Sequence, residues 1–322
     1  MVAAFSHLTR ISHEGLDCFA TDSHQWRIHD EGEFATAARL RLVFTAEAEV
    51  AVVQLLSYLP IASMAQLHRQ QALLGLELVL ALPLTAEQLQ AVSALPQVEV
   101  LTIAEQQLLP ALHNPGLLVM DMDSTAIQIE CIDELAAAAG VGQEVAEVTE
   151  RAMQGELDFE QSLRARVAKL AGAHSSIIDE LCARLPLSPG LDTMIAELQQ
   201  HQWRIVVASG GFTPFVGHLK QLLNLDAAYA NHLVLQDDQF TGDVTGTIVD
   251  AQFKADTVTR CAAEWQIAHQ QTVAIGDGAN DIPMVQTAAF GIAYHAKPKL
   301  SAAADASIKQ LSLAALPYFL QA

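Results

Sequence analysis

Three short, mainly apolar runs each stop at a polar cluster, and together they leave few folds open to this chain. Leu117–Met120 ends at Asp121-Met-Asp123-Ser-Thr125, Ile205–Ala208 ends at Ser209-Gly-Gly, and Thr272–Ile275 ends at Gly276-Asp277-Gly-Ala-Asn280-Asp281. Such a run, flanked by helical spacing, reads as a strand buried on both faces of a parallel sheet. Open sheets of this kind bind ligands beyond the carboxyl ends of their strands. The chain is therefore expected to be α/β, with four aspartates, a serine and several glycines gathered at one sheet edge.

After Asp121 the sequence does not return at once to the sheet. From about Ile129 to Arg184 the pattern is helical, with Gly140, Gly155 and Gly172 where helix C-caps are expected and Asp158 placed to cap a helix over Phe159–Leu170. The next buried strand begins at Trp203. A helical insertion at about residues 128–190, between the first strand and the rest of the sheet, is most simply a cap over the strand ends. Further on, His232–Asp250 alternates around an Asp-Asp pair and predicts a hairpin.

Asn, Pro and Gly within His113-Asn114-Pro115-Gly116 mark a boundary. This divides the chain into residues 1–113 and residues 114–322. In the first part Leu40, Leu42 and Phe44 alternate, as do Leu74, Leu76, Leu78, Leu80 and Leu82, in the manner of half-buried strands. Val52, Leu55, Leu56 and Leu59 keep helical spacing, Thr85 and Gln88 form a capping-box pattern, and Val98 with Val100 suggests a closing strand. The order is βαββαβ, an α+β sandwich of the ACT or ferredoxin-like plan, possessing its own core and therefore separable. Residues 1–35 carry no period that assigns an element.

Composition narrows the partners. With 37 acidic against 17 basic side chains the formal charge is −20, a field that repels phosphate backbones and argues against nucleic acid. An anionic small substrate would need placed cations or a metal ion. Ala72–Leu84, the most apolar stretch, contains Glu77 and is too short to span a bilayer. Met1–Gly15 lacks the layout of a signal peptide, so the sequence reads as cytoplasmic. Cys18, Cys131, Cys182 and Cys261 lie far apart, as reduced packed thiols do. The twelve histidines show no metal-ligand spacing.

The strand-end clusters suit a definite chemistry. Two aspartates two residues apart face one pocket only if the chain leaves the regular pleat after Asp121. An ionised Asp attacks an electrophile without a base to activate it, and a partner with a raised pKa delivers a proton to a leaving oxygen. Asp277 and Asp281 are hard oxygen donors beside glycines, the type magnesium prefers when it also meets phosphate oxygens. Ser209 opens a Gly-Gly turn whose N–H groups would cradle phosphate.

Taken in order, Asp121-Met-Asp123-Ser-Thr125, Ser209, Lys254 and Gly276-Asp277-Gly-Ala-Asn280-Asp281 resemble the four motifs of the haloacid dehalogenase (HAD) superfamily of phosphotransferases. Leu117–Leu170 and Val206–Lys297 look like its phosphoserine-hydrolysing branch. The resemblance implies a Rossmann-like sheet and Mg²⁺-dependent hydrolysis of O-phospho-L-serine, the last step of serine biosynthesis. Asp121 would form an aspartyl phosphate; Asp123 would act as general acid and then base. Mg²⁺ would be held by Asp121, the backbone carbonyl of Asp123 and Asp277, with Asp281 orienting its waters. Ser209, Gly210, Lys254 and Asn280 would hold phosphoryl oxygens. In the cap, Glu130 would meet the substrate ammonium and Arg166 its carboxylate, with Met153 and Phe159 on the apolar side.

Spacing speaks for Arg166 on its own account. Leu163, Val167 and Leu170 form the buried stripe of its helix, and Arg166 shares that face while Arg164 does not. A buried-face arginine needs a carboxylate, from substrate or from a nearby Glu. Glu130 at a helix start is also what the helix dipole favours. Two further readings stand beside the first. One is the same chemistry on phosphohomoserine, phosphoethanolamine or a phosphorylated cofactor; the other is an amino-acid-sensing protein with a relic catalytic domain. Whether the chain forms a homodimer is left open.

Overall fold

The computed structural model describes residues 5–13 and 15–322. The reading of Met1–Gly15 as lacking a signal-peptide layout falls in part on residues 1–4 and 14, which lie outside the described residues. No helix among the described residues is long and apolar enough to cross a membrane.

The first half forms a seven-stranded sheet in the order β1-β2-β3-β5-β6-β4-β7. Its elements are β1 (Thr9–His13), β2 (Leu16–Ala20), β3 (Gln25–Ile28), β4 (Arg39–Phe44), α1 (Glu49–Leu56), β5 (Ile61–Gln66), β6 (Leu74–Leu80), α2 (Ala86–Ser93) and β7 (Val98–Ile103). From β4 onward this is the βαββαβ order, and α2 opens with the capping box: Thr85 Oγ1 accepts from Gln88 N and Gln88 Oε1 from Thr85 N. Residues 1–35, unassigned from sequence, supply β1–β3. These strands are short and mixed in polarity, and β3 joins the sheet by pairing in parallel with β5.

The second half begins with β8 (Leu117–Met120) and four cap helices, α3 (Cys131–Ala138), α4 (Gly142–Met153), α5 (Phe159–Ala168) and α6 (Ser176–Cys182). The chain returns through α7 (Leu191–Gln200), β9 (Arg204–Phe212), α8 (Thr213–Leu223), β10 (Ala227–Gln236) and β11 (Gln239–Thr245). It closes with α9 (Ala251–Glu264), β12 (Thr272–Gly276), α10 (Ile282–Thr287), β13 (Phe290–Tyr294), α11 (Pro298–Ala303), β14 (Ala306–Ile308) and α12 (Leu316–Phe319). The sheet order is β11-β10-β9-β8-β12-β13-β14, parallel except for the β10–β11 hairpin, which turns through Asp237 and Asp238.

Both faces of this sheet are buried, as the uninterrupted apolar runs require. Leu118, Met120, Ile205, Val207, Val273 and Ile275 pack on one side, and Leu117, Val119, Val206, Ala208 and Ala274 on the other. In the cap, Asp158 accepts from Gln161 N at 2.8 Å and opens α5, which ends at Ala168, two residues before the expected Leu170.

The first sheet departs from its expected half-buried character. Leu40, Leu42 and Phe44 pack with Val52, Leu56 and Val92 under α1 and α2, as alternation predicts. Arg39, Arg41 and Val43 point the other way and are buried too. Arg41 Nε donates to Glu77 Oε2 at 2.9 Å, and its Nη1 donates to the carbonyls of Tyr318 at 2.8 Å and Leu320 at 2.6 Å. Arg69 donates to Pro317 O and Leu320 O, each at 2.7 Å, and pairs with Glu31. The Tyr318 ring crosses Gly75 so closely that a Cβ there would lie 2.5 Å from it. One core cluster runs from Val43, Leu101 and Ile103 into Leu316, Tyr318 and Phe319. The first sheet therefore covers the last residues of the second half, across the boundary at His113–Gly116.

Candidate active site

β9, β8 and β12 are adjacent, so their carboxyl ends open on one place. Met120 pairs with Val207 on one side and Ile275 on the other. Asp121 follows, its N–H donating to Ile275 O at 3.0 Å. The backbone then leaves the pleat, as the two-residue spacing requires: Met122–Ala126 form a tight loop in which Ser124 takes a left-handed φ of 55°. Ser124 Oγ donates to Glu130 Oε1 at 2.7 Å, and Asp123 Oδ1 accepts from Cys131 N at 3.2 Å, the first residue of α3. One loop thus links the strand-end aspartates to the cap residue Glu130. Burial, and after it the charge of Glu130, raises Asp123 to about 7 against the contact with Cys131.

Asp281 is fully buried and braces the opposite wall. Its Oδ2 accepts from Asp277 N at 3.2 Å and Gly278 N at 3.1 Å, and Lys254 Nζ donates to its Oδ1 at 2.8 Å. Thr125 Oγ1 donates to Asp277 Oδ1 at 3.3 Å. Asp121, Asp277 and Asp281 bring carboxylate oxygens within 4.8 Å of one another, a hard-oxygen set able to hold a cation. Burial raises Asp277 to about 6 and Asp121 well above the ordinary carboxylate range; the charge of Asp281 adds to both and Lys254 opposes it. A bound cation would relieve that repulsion, so the residues fit a metal.

Lys254 is buried on α9, with Nζ 2.7 Å from Asp121 Oδ2. Burial alone would lower its pKa, but Asp121 and Asp281 hold it above the usual lysine value. The expected Gly-Gly turn after Ser209 is absent. β9 stays extended through Phe212, because β10 continues beside it across a register shift between Tyr229 and Asn231. Ser209 Oγ accepts from Gly211 N at 2.8 Å. Gly211 must be small: a Cβ would lie 2.9 Å from Met122 Cε and 3.0 Å from Asp123 Oδ2.

A cavity of about 450 Å³ opens between these strand ends and the cap. Asp121, Asp123, Gly210, Lys254, Asp277 and Asn280 line its floor; Glu130, Met153, Phe159 and Arg166 line the cap side. Ser209 and Asp281 adjoin this floor and are fully buried. Met153, 76% exposed, stands at the rim. The Phe159 ring covers Gly210, where a Cβ would be 3.0 Å from it.

Arg166 has no ion-pair partner among the described residues, so the alternative of an internal bridge to a nearby Glu is not realised. Its Nε donates weakly to Ser162 O at 3.4 Å. Burial lowers its pKa, and the carboxylates of Asp133, Glu130 and Asp123 offset this. Sequence reasoning missed Asp133 and Lys297, which also line the cavity. Nothing in local spacing marks either one. Thr125 was quoted within the first cluster, but its contact with Asp277, 152 residues away, has no sequence signal.

Known proteins resemble this chain over much of its length. The profile of the haloacid dehalogenase-like hydrolases matches residues 116–289. Phosphoserine phosphatase of Vibrio cholerae is 51% identical over 222 residues, 69% of this chain and 68% of that protein. Phosphoserine phosphatase of Haemophilus influenzae is 50% identical over 220 residues, 68% of this chain and 70% of that protein. Among solved structures, an unliganded probable phosphoserine phosphatase from Vibrio cholerae superposes with a TM-score of 0.75 at 42% identity, covering 88% of this chain and 86% of that one.

Proposed function

Because the chain belongs to the haloacid dehalogenase-like hydrolases, and within them to the phosphoserine phosphatases, we propose that it hydrolyses O-phospho-L-serine to L-serine and phosphate as the last step of serine biosynthesis. One observation carries the choice of substrate. The cavity has strand-end aspartates at one end, and at the other a half-buried arginine, without an ion-pair partner among the described residues, beside a glutamate. A phosphomonoester of an amino acid is complementary to both ends.

In this reading an oxygen of Asp121 attacks phosphorus and the bond to the serine oxygen breaks. Asp123 gives its proton to that oxygen, then takes one from the water that hydrolyses the aspartyl phosphate. A carboxyl near 7 suits both duties at neutral pH. Ser209, Gly210, Lys254 and Asn280 hold the phosphoryl oxygens as charge spreads over them. Arg166 binds the substrate carboxylate and Glu130 its ammonium, while Met153 and Phe159 exclude water from the apolar side. Asp121, the Asp123 carbonyl and Asp277 would hold Mg²⁺, backed by Asp281, and the ion would supply charge neutralisation for the incoming phosphate.

The test is phosphate release from a panel of phosphomonoesters with and without Mg²⁺. Phosphoserine should lead, phosphoethanolamine and phosphoglycolate should trail, and chelation should stop release. A different leading substrate would replace the amino-acid assignment.

A further inference from the structure

Asn231, on β10, borders neither the cavity nor the metal-ligating carboxylates, yet it is fully buried where β9 and β10 change register. Its Nδ2 donates to Gly210 O at 2.8 Å, and its Oδ1 accepts from Val249 N at 2.9 Å. Removing this amide would take a hydrogen-bond partner from two backbone groups.

The carbonyl of Gly210 and the N–H of Gly211 belong to one planar peptide and point in opposite directions. Asn231 holds the carbonyl edge, and Ser209 Oγ accepts from the N–H edge at 2.8 Å. The peptide that walls the cavity is thereby clamped at both ends. With Gly211 donating to it, the Ser209 oxygen is oriented, and its own proton remains available to a further acceptor. On the other side, Val249 immediately precedes Asp250, whose Oδ1 accepts from Phe253 N at 2.8 Å and caps α9, the helix that carries Lys254. One side chain therefore touches both segments that present the phosphate-facing groups.

We propose that Asn231 is a positioning residue for phosphoryl transfer, fixing the Gly210–Gly211 peptide and the start of α9 so that Ser209 and Lys254 meet the same phosphoryl group. This rests on the phosphatase reading above.

The experiment compares Asn231→Ala and Asn231→Asp with wild type on phosphoserine and on 4-nitrophenyl phosphate. The aspartate variant keeps the size and the acceptor for Val249 but sets a carboxylate oxygen against the Gly210 carbonyl. Both variants should lose kcat, on the order of a hundredfold, by the same factor on the two esters, because misplacement acts at their common end. Inhibition by inorganic phosphate should weaken, while the preference for phosphoserine over phosphoethanolamine stays unchanged. In a Ser209→Ala background, Asn231→Ala should cost several-fold less than it does alone, since the route through the Gly210–Gly211 peptide is already lost and only that through α9 remains. A folded variant with wild-type kcat, whatever its Tm, would overturn the proposal, as would full additivity with Ser209→Ala. Should Asn231→Ala fail to fold, the volume-conserving Asn231→Asp decides. If wild type prefers another phosphomonoester, that ester replaces phosphoserine in the series; the substrate reading then fails while the role of Asn231 is still tested.

Discussion

Lys254 Nζ lies 2.7 Å from Asp121 Oδ2, so the cation assigned to phosphoryl oxygens is already held by the carboxylate assigned to attack phosphorus. Asp281 holds the same ammonium from the other side at 2.8 Å. On that assignment, phosphate entry would exchange one partner of Lys254 for another. At the strand-end side of the pocket the ammonium is thus paired, whereas Arg166 on the cap side has no ion-pair partner among the described residues.

Replacing Asp121 by Asn keeps the shape and removes the nucleophile. Turnover of any phosphomonoester should fall by at least about a thousandfold with the circular dichroism spectrum unchanged. Asp123→Asn should instead discriminate by leaving group. Serine oxygen needs a proton and an aryl oxide hardly does, so single-turnover phosphorylation by 4-nitrophenyl phosphate should suffer less than that by phosphoserine. Equal losses on both would remove the general-acid role from Asp123.

Selectivity should reside in the cap. Arg166→Ala removes the proposed carboxylate clamp, and loss of a desolvated charge-assisted contact costs about 2–5 kcal/mol. The drop should appear in kcat as well as kcat/KM for phosphoserine, because remote binding aligns phosphorus with Asp121. Phosphoethanolamine has no carboxylate and should change little. Glu130→Gln should weaken phosphoserine and spare phosphoglycolate, which has no ammonium. A uniform loss across these esters would make Arg166 a structural residue.

The buried seam between the halves should be acid-labile. Burial alone would raise the Glu77 carboxyl, but His29 at 3.9 Å and the guanidiniums of Arg41 and Arg39 hold it down, to about 2. Because the folded value lies below the unfolded one of 4.5, this group's stabilisation is complete above pH 4.5. It declines as pH falls toward 2, and amounts to about 3 kcal/mol. Melting temperature measured between pH 5 and pH 3 should fall less steeply for Glu77→Gln than for wild type, from a lower starting point. Parallel slopes would assign the acid sensitivity elsewhere.

A truncation beginning at His113 should be poorly soluble and less stable. It uncovers Tyr318 and Phe319 and strips the carbonyls of Pro317, Tyr318 and Leu320 of their arginine donors. Such a fragment melting like the full chain, with full phosphatase activity, would show that the shared core contributes little.

What could be read from sequence was what neighbours in the chain encode. Leu117–Met120 and Thr272–Ile275 declare strands because both their faces meet apolar helices, and the residues after them fall at the strand ends by geometry alone. Arg39, Arg41 and Glu77 alternate with leucines in the manner of a wet face; they pair with one another and are covered by the last residues of the chain, so no local pattern reveals their burial. Gly210-Gly211 reads as a turn because glycines usually punctuate. Here smallness serves close approach to Met122 and Asp123 in an extended strand. Asn231 carries no sequence signal, since a buried amide bridging a strand and a distant loop has no period.

The ionic seam on β4 also bears on how the chain is made. Arg41 and the carbonyl of Tyr318 are 277 positions apart, a stretch that a ribosome adding about 5–20 residues per second needs roughly 15–55 s to make. Once β6 and β7 are made, the face still to be covered carries Arg39, Arg41 and Glu77 among Val43, Leu101 and Ile103, on a sheet whose other face packs under α1 and α2. An apolar seam in the same place would leave each nascent chain with a sticky, half-covered sheet beside its neighbours on the same message. Charges keep that face wet until the last residues arrive to cover it.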